Sequence, residues 1–426
     1  MNNNQKSKKE FLRGKQMISG GIKGMHKIFS IDKYPAYCVN GDGCFVYDLD
    51  GNEYIDFVMG KGPYILGYRN KRVDNAVIEQ IHKGNIFPMG NPYHNMVAEK
   101  MLSCLPGGER VVFYKSGSCA TSAAIRLARA YTGRDIILSC GYHGWHDWCN
   151  GGKGVLKSVE EAFFDFKFNL ELFDKYLEMY RGNVAAVIIS PEEFYLDKEF
   201  YEYVQMVCNS TGILLIFDEV KTGFRVSVGG FQGKYGFDPD MSTFSKAMSN
   251  GYSIAALVGK KEYLDVNEEI HTTGTYDTEV ISFAASYECL SIIEELNVLE
   301  IIHQHGNQFV GEMDVLFNKY NVGLYPIWSN GSFRIWSGDY CLEEAFYSQM
   351  AERGVLFYAY DNSYISLAHT ENVLNETLNR VEDVLKQGTL KQDRRYRKID
   401  KKLFGESLKN KKGFLDGYVG EKGRKE

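Results

Sequence analysis

No stretch of the 426-residue chain approaches the roughly 18 consecutive apolar residues that a membrane helix needs. The opening "MNNNQKSKKEFLRGKQ" is polar and basic with no apolar centre behind it, which argues against a secretory signal. Charge of one sign is lacking too. The 49 lysines and arginines against 55 aspartates and glutamates leave −6 at pH 7, so the whole chain makes no case for nucleic acid or an anionic membrane as partner. The nine cysteines follow no framework spacing and are odd in number, which fits reduced thiols in the cytoplasm better than a disulfide scaffold. Cys140, His143 and His146 are spaced like part of a metal site. No second Cys/His group follows, so no metal is expected. No internal repeat is visible, and the bias of 29 tyrosines and 26 phenylalanines beside only 8 prolines carries no functional message.

A hydrophobic share of 44% and a charged share of 24% describe an ordinary globular chain, and the length suggests two domains. "GCFVYDLDGNEYIDFV" (43–58) reads as two strands flanking a tight turn at Asp50-Gly51. Residues 1–55 are therefore expected to form an arm and hairpin that join the smaller domain. From about 110 to 260, short apolar runs alternate with helical patterns: "VVFYKS", "DIILSC", "VAAVIIS", "ILLIFDEV", "TFSK" and "IAALVGK". This alternation predicts an α/β fold with a mainly parallel sheet covered by helices, in a large domain spanning 56–285. Residues 286–388 turn to helices and shorter strands, closing on the amphipathic "TENVLNETLNRVEDVLKQ", and are expected to form a smaller α+β domain. Residues 389–426 read as a basic, solvated tail.

In such sheets ligands bind beyond the carboxyl ends of the strands, and four motifs fall there. Ser116, Gly117 and Ser118, between a strand and a helix, could converge backbone N–H groups on a phosphate, or could simply cap the helix. Tyr142 and His143 in "CGYHGWHDW" could offer an aromatic face to a flat ligand, or pack together. Asp218 follows four large apolar residues in "LLIFDEVKTGFR", so its carboxylate needs a cation or strong hydrogen bonds. A protonated pyridine nitrogen would serve, as would a structural partner such as Arg225. Lys246 in "DMSTFSKAMSNG" is either a surface lysine or a nucleophilic amine. Taken jointly the four describe one ligand, with its phosphate at 116–118, its ring under Tyr142, its ring nitrogen at Asp218 and its aldehyde on Lys246. That ligand is pyridoxal 5′-phosphate.

These pieces, with "DLDGNEYIDFV", "GPYILGY", "SGSCATSAAIRLARAYTGRD", "GGFQGKYGFDPDMSTFSKAMSNGYSIAALVG", "TTGT" and "ISLAHT", run in one order from about 19 to 388. In that order the chain resembles the class III aminotransferases among the fold-type I pyridoxal-phosphate enzymes. Within that family it is most similar to the glutamate-1-semialdehyde 2,1-aminomutases. The resemblance implies that Lys246 is the Schiff-base lysine and moves a proton between substrate and cofactor. It implies that Asp218 keeps the ring nitrogen protonated, that Tyr142 stacks on the ring with His143 beside it, and that Val220 lies against the opposite face. Ser116, Gly117 and Ser118 are implied to bind the phosphate. Thr275 is implied to reach the phosphate of a neighbouring subunit, and hence a homodimer with shared active sites.

The substrate side departs from the aminomutase pattern. Lys27 stands where an arginine would face a carboxylate, Lys61 where a tryptophan precedes "GP", and Asp361 where a glutamate is usual. Cys119 replaces a glutamate, Ser190-Pro191 replaces "EP", and the segment from 144 to 183 is shorter than the aminomutase gating loop. A trimmed lid would let an intermediate leave. The expectation is therefore transfer between two molecules, from an amino donor to an aldehyde or ketone acceptor, in a specialised biosynthetic pathway. Lys27, Lys61 and Lys115 would form a basic mouth that favours an anionic acceptor. The alternatives are the aminomutase itself, or a decarboxylase, a racemase or a binding-only relative.

Overall fold

Strand edges and apolar faces dictate two separate compact units. The computed structural model describes residues 4–22, 35–192, 198–337, 339–359 and 361–390. One unit comprises the described residues up to Lys71 and those from Leu296 onward, the other Arg72–Glu295.

The first unit opens with helix Gln5–Lys15, followed by β1 (Cys38–Asp42), β2 (Phe45–Asp48) and β3 (Glu53–Asp56). β2 and β3 pair antiparallel, with Tyr47 opposite Glu53. Their turn is organised by Asp48, whose Oδ1 accepts from the N–H groups of Asp50 (3.0 Å) and Asn52 (2.8 Å). An aspartate that bonds the backbone ahead of it is the usual device for such a bend.

The second unit is built on β4 (Arg110–Tyr114), β5 (Ile136–Cys140), β6 (Phe163–Asp165), β7 (Val184–Ile189), β8 (Leu214–Asp218), β9 (Met241–Phe244) and β10 (Ala255–Gly259), in the spatial order β4-β10-β9-β8-β7-β5-β6. β10 runs antiparallel to both neighbours, and the others share one direction. β5, β7, β8, β9 and β10 are buried along their whole lengths, as strands covered on both faces must be.

Alternate residues of these strands feed two cores. Ile137, Ala186, Ile188 and Ile216 pack with Ala120, Ala124 and Leu127 of helix Gly117–Thr132. Leu138, Val187, Ile189, Leu215 and Phe217 pack on the other side with Phe173, Phe200 and Val204, from helices Leu170–Met179 and Lys198–Thr211. Burying each of the Leu, Ile, Val and Phe side chains among these contributes roughly 1.5–3 kcal/mol. Helix Val280–Glu295 also belongs to this unit and is apolar nearly all round, with eleven of its residues buried.

The first unit resumes with helix Val298–Lys319 and with β11 (Tyr325–Ser329), β12 (Ser332–Trp336), β13 (Val355–Leu356) and β14 (Ser363–Tyr364). β13 pairs parallel with β3, extending the N-terminal hairpin sheet, while β11, β12 and β14 form a second small sheet. The amphipathic helix predicted at its end spans Glu371–Lys386 and buries Leu374, Leu378, Val381 and Val384. Among the described residues no helix is long and apolar enough to cross a membrane.

Gly223, in the turn after β8, shows how tightly strand ends pack. A Cβ there would lie 2.4 Å from the Phe244 ring and 2.8 Å from the backbone oxygen of Glu219. Because one of those atoms is backbone, the clash cannot relax by a rotamer change. Gly223→Ala should destabilise the protein by about 1–3 kcal/mol, read as a lower midpoint of urea unfolding. An unchanged midpoint would show that the turn yields freely.

Candidate active site

Strands that share a direction end on the same edge of their sheet. β4, β5, β8 and β9 therefore present Ser116, Gly117 and Ser118, then Tyr142 and His143, then Asp218 and Val220, and finally Lys246 along one edge of the second unit.

Asp218, the last residue of β8, is buried at 4% side-chain exposure. Its Oδ2 lies 2.9 Å from His143 Nδ1, and its Oδ1 accepts from Thr243 Oγ1 (3.1 Å) and the Val220 N–H (3.2 Å). An ionised carboxylate only accepts, so Nδ1 carries the proton. A carboxylate has about four acceptor positions, and three are filled, which leaves one on Oδ2. Arg225, weighed from the sequence as the partner of Asp218, is buried but is not among the groups that bond it.

His143 is held in turn. Thr121 Oγ1 donates to its carbonyl (2.9 Å), and the Trp148 indole stacks on its ring at 6.1 Å and 22°. Trp148 Nε1 donates to Ser122 Oγ (2.8 Å), which lies 2.7 Å from His146 Nδ1. Among the described residues, His143 Nε2 is buried without a hydrogen-bond partner.

Ser116 caps helix Gly117–Thr132, its hydroxyl accepting from the Cys119 N–H at 3.3 Å and donating to Cys119 Sγ at 3.1 Å. The two readings of this serine are thus compatible, because the cap leaves the N–H groups of Gly117 and Ser118 at a helix start, where an anion binds well. The approach is close. A Cβ at Gly117 would lie 2.8 Å from Val220, and one at Gly144 would lie 2.3 Å from Ser118 Oγ. Gly144 also has a φ of +114°, which favours glycine.

Lys246 follows β9 with a φ of +44°, a left-handed conformation that side chains beyond glycine rarely adopt. Its turn is anchored from behind, with Ser286 Oγ donating to the Met248 carbonyl (2.9 Å) and Cys289 Sγ to the Ala247 carbonyl (3.3 Å). Tyr142 is 47% exposed.

Thr275 is exposed on a segment tied back by Tyr114, whose hydroxyl lies 3.1 Å from Thr272 Oγ1. Lys115 departs from its expected part in a basic mouth. Its ammonium pairs with Glu279 at 2.7 Å, so its charge is already balanced. Lys61 and Asp361 belong to the first unit, and Lys27 lies outside the described residues. Lys61 is exposed with a φ of +73°, on a turn whose Met59, Gly60 and Gly62 are also left-handed. Asp56 fixes that turn by accepting from the N–H groups of Val58 (2.7 Å) and Met59 (3.1 Å) and from the Tyr68 hydroxyl (2.7 Å).

Sequence reasoning passed over Thr243, Trp148 and Glu219. Thr243 faces Asp218 only through the register of β8 and β9. Glu219 is the carboxylate next to Asp218, a placement that could have singled it out. It is fully buried and accepts from Thr222 Oγ1 and from the N–H groups of Phe231 (2.9 Å) and Gln232 (2.8 Å).

This edge fits pyridoxal phosphate on three counts: a spare acceptor position on Asp218, two helix-start N–H groups beside a glycine-walled cradle, and a lysine held in an uncommon conformation. The fold and edge together define a fold-type I pyridoxal-phosphate enzyme. The Aminotransferase class-III family matches residues 30–388. The chain belongs to that family and is a pyridoxal-phosphate-dependent aminotransferase.

It is 35% identical over 408 residues to a 3-aminobutyryl-CoA aminotransferase of Cloacimonas acidaminovorans (strain Evry), covering 88% of this chain and 95% of that one. It is 38% identical over 276 residues to the 2′-deamino-2′-hydroxyneamine transaminase of Streptomyces kanamyceticus, covering 64% and 70%. A glutamate-1-semialdehyde 2,1-aminomutase of Sulfolobus acidocaldarius is 29% identical over 410 residues, covering 87% and 97%. Among solved structures, the PLP internal aldimine form of the Sphingopyxis sp. MTA144 FumI protein superposes with a TM-score of 0.84 at 26% identity, covering 91% and 99%.

Glu219 makes a pH prediction. Burial pushes its carboxyl up to about 7 from 4.5, with hydrogen bonds from Thr222, Gln232 and Phe231 opposing and the Asp218 charge adding to the rise. A carboxyl raised in the folded state contributes fully below its unfolded value and loses that contribution as pH climbs through the folded one. Relative to Glu219→Gln, wild-type stability should fall by about 3 kcal/mol between pH 4.5 and 7. Paired urea titrations across that range check this, and a pH-independent difference would overturn it.

Proposed function

We propose that this aminotransferase moves its amino group between two molecules rather than within one, and that one of them carries an anionic group. The observation that carries this reading is the order of the relatives. Two aminotransferases match at 35% and 38% identity, against 29% and 31% for two aminomutases. The first acts, by its name, on a coenzyme A thioester, which is polyanionic. The exposed Lys61 supplies a cation on the first unit, and Lys27 would add a second. With Lys115 balanced by Glu279, these two carry the charge selectivity.

In this reading the N–H groups of Gly117 and Ser118, with the hydroxyls of Ser116 and Ser118, hold the phosphate. Tyr142 and Val220 flank the ring, and His143 orients Asp218, whose remaining acceptor position keeps the ring nitrogen's proton in place. Lys246 supplies the amine that anchors the cofactor and then carries a proton to and from the substrate's α-carbon. When bound, pyridoxal phosphate supplies the aldehyde that takes up the amino group and a ring that accepts the released electron pair.

A homodimer belongs to the same proposal. Ile86, Met89 and Tyr276 are exposed, on neighbouring segments joined by the Val280 N–H to the Asn85 carbonyl (2.8 Å) and by His94 Nε2 at 3.1 Å from the Thr278 carbonyl. A second copy bringing Thr275 to the phosphate would cover this apolar surface. A cytoplasmic location is supported by nine cysteines that are all unbridged.

Amino donor alone should bleach the visible absorbance of the bound cofactor, and a carbonyl acceptor should restore it. Efficient turnover of glutamate-1-semialdehyde with neither added would overturn the intermolecular reading. Lys246→Ala should cut turnover by about 10²–10⁴-fold or more while still admitting cofactor, and full activity in that variant would remove Lys246 from its role. Sedimentation should report twice the chain mass.

A further inference from the structure

The roles above leave a well-shielded ion pair beside the phosphate turn without a part. Lys115, immediately before the Ser116 turn, points its ammonium at Glu279 Oε1 (2.7 Å), the Ser253 carbonyl (2.9 Å) and Ser282 Oγ (3.3 Å). The two side chains are 20% and 13% exposed. Lysine has three N–H donors, and all three are committed, so Lys115 is not itself a phosphate ligand. Its backbone is held as well, with Ser253 Oγ donating to the Lys115 carbonyl at 2.6 Å.

Glu279 sits where the Thr275 segment enters helix Val280–Glu295. The helix start is pinned by Asn85, which accepts from the N–H groups of Val280 (2.8 Å) and Ile281 (3.1 Å). Further along, the same helix braces the turn after Lys246 through Ser286 and Cys289. Glu279 stays ionised. Burial raises its carboxyl, but hydrogen bonds from Lys115 and Ser282 outweigh this and hold it below its ordinary value.

We propose that Lys115 and Glu279 are positioning residues for the cofactor, a clamp that holds the Thr275 segment at a set distance from the Ser116–Ser118 turn. This rests on the reading that those groups bind the phosphate. If Thr275 serves the neighbouring subunit, the clamp ties each protomer's own phosphate turn to the segment it lends its partner. Cofactor loss from one site would then loosen the other.

The test is equilibrium affinity for pyridoxal phosphate, measured by back-titration of dialysed enzyme. Lys115→Met and Glu279→Gln should each weaken binding about tenfold, Lys115→Arg should retain it, and neither loss should add to that of Thr275→Ala. Glu279→Gln preserves shape, so the pair stays testable if Lys115→Met folds poorly. Wild-type affinity in both pair variants, or losses fully additive with Thr275→Ala, would overturn the clamp. Ser118→Ala separates the two levels. If it and Thr275→Ala weaken binding while the pair variants do not, the clamp alone fails. If neither weakens binding, the phosphate assignment fails and takes the clamp with it.

Discussion

Asp218 ends a fully buried strand with a carboxylate 4% exposed, and an uncompensated charge there would cost several kcal/mol. Much of the sheet edge answers that requirement. β9 brings Thr243, the loop after β5 brings His143, and the chain beyond β8 turns back to offer the Val220 N–H. Satisfying one acid therefore draws together three segments far apart in sequence. Thr121 and Trp148, which hold His143, draw helix Gly117–Thr132 and a further part of the loop after β5 into the same arrangement. A carboxylate held by three donors, with one position to spare, is prepared for one more donor and resists being displaced by it.

The acids behind this edge are handled differently from one another. Glu219 is satisfied by backbone N–H groups and a hydroxyl with no cation, and its carboxyl rises accordingly. Glu192 and Glu279 each take a lysine, Lys221 and Lys115. These pairs occupy two of the lysines that follow strand ends. In the proposed reading, phosphate binding at the edge falls to helix-start N–H groups and hydroxyls, which select by shape and direction more than by net charge. Lys61, a substrate-side residue only in the proposed reading, stands on a left-handed turn of the first unit.

The class and the main architecture were legible because they rest on local periods. Continuous apolar runs marked the buried strands and ended within a few residues of β4, β5, β7, β8, β9 and β10. The Asp-Gly turn marked the β2–β3 hairpin, and the 3.6-residue period marked helix Glu371–Lys386. Short or exposed elements escaped. β6 is three residues long and only partly buried, and the exposed β1 carries no apolar pattern at all. Lys115 illustrates the other kind of miss. As a letter beside serine and glycine it suggested a free cation, whereas its charge is balanced by an acid 164 positions away.

By itself, then, the sequence determined which residues stand at strand ends, in what order, and hence the family, because spacing and hydrophobic period act within a few residues of the chain. Only the tertiary structure decided who meets whom: that β10 is reversed, that Thr243 rather than Arg225 answers Asp218, that Glu219 rests on the start of helix Gly230–Tyr235, and that Lys115 is bound to Glu279. Those pairings depend on strand register and on the packing of distant helices, and the local pattern on either side would be the same whichever partner won.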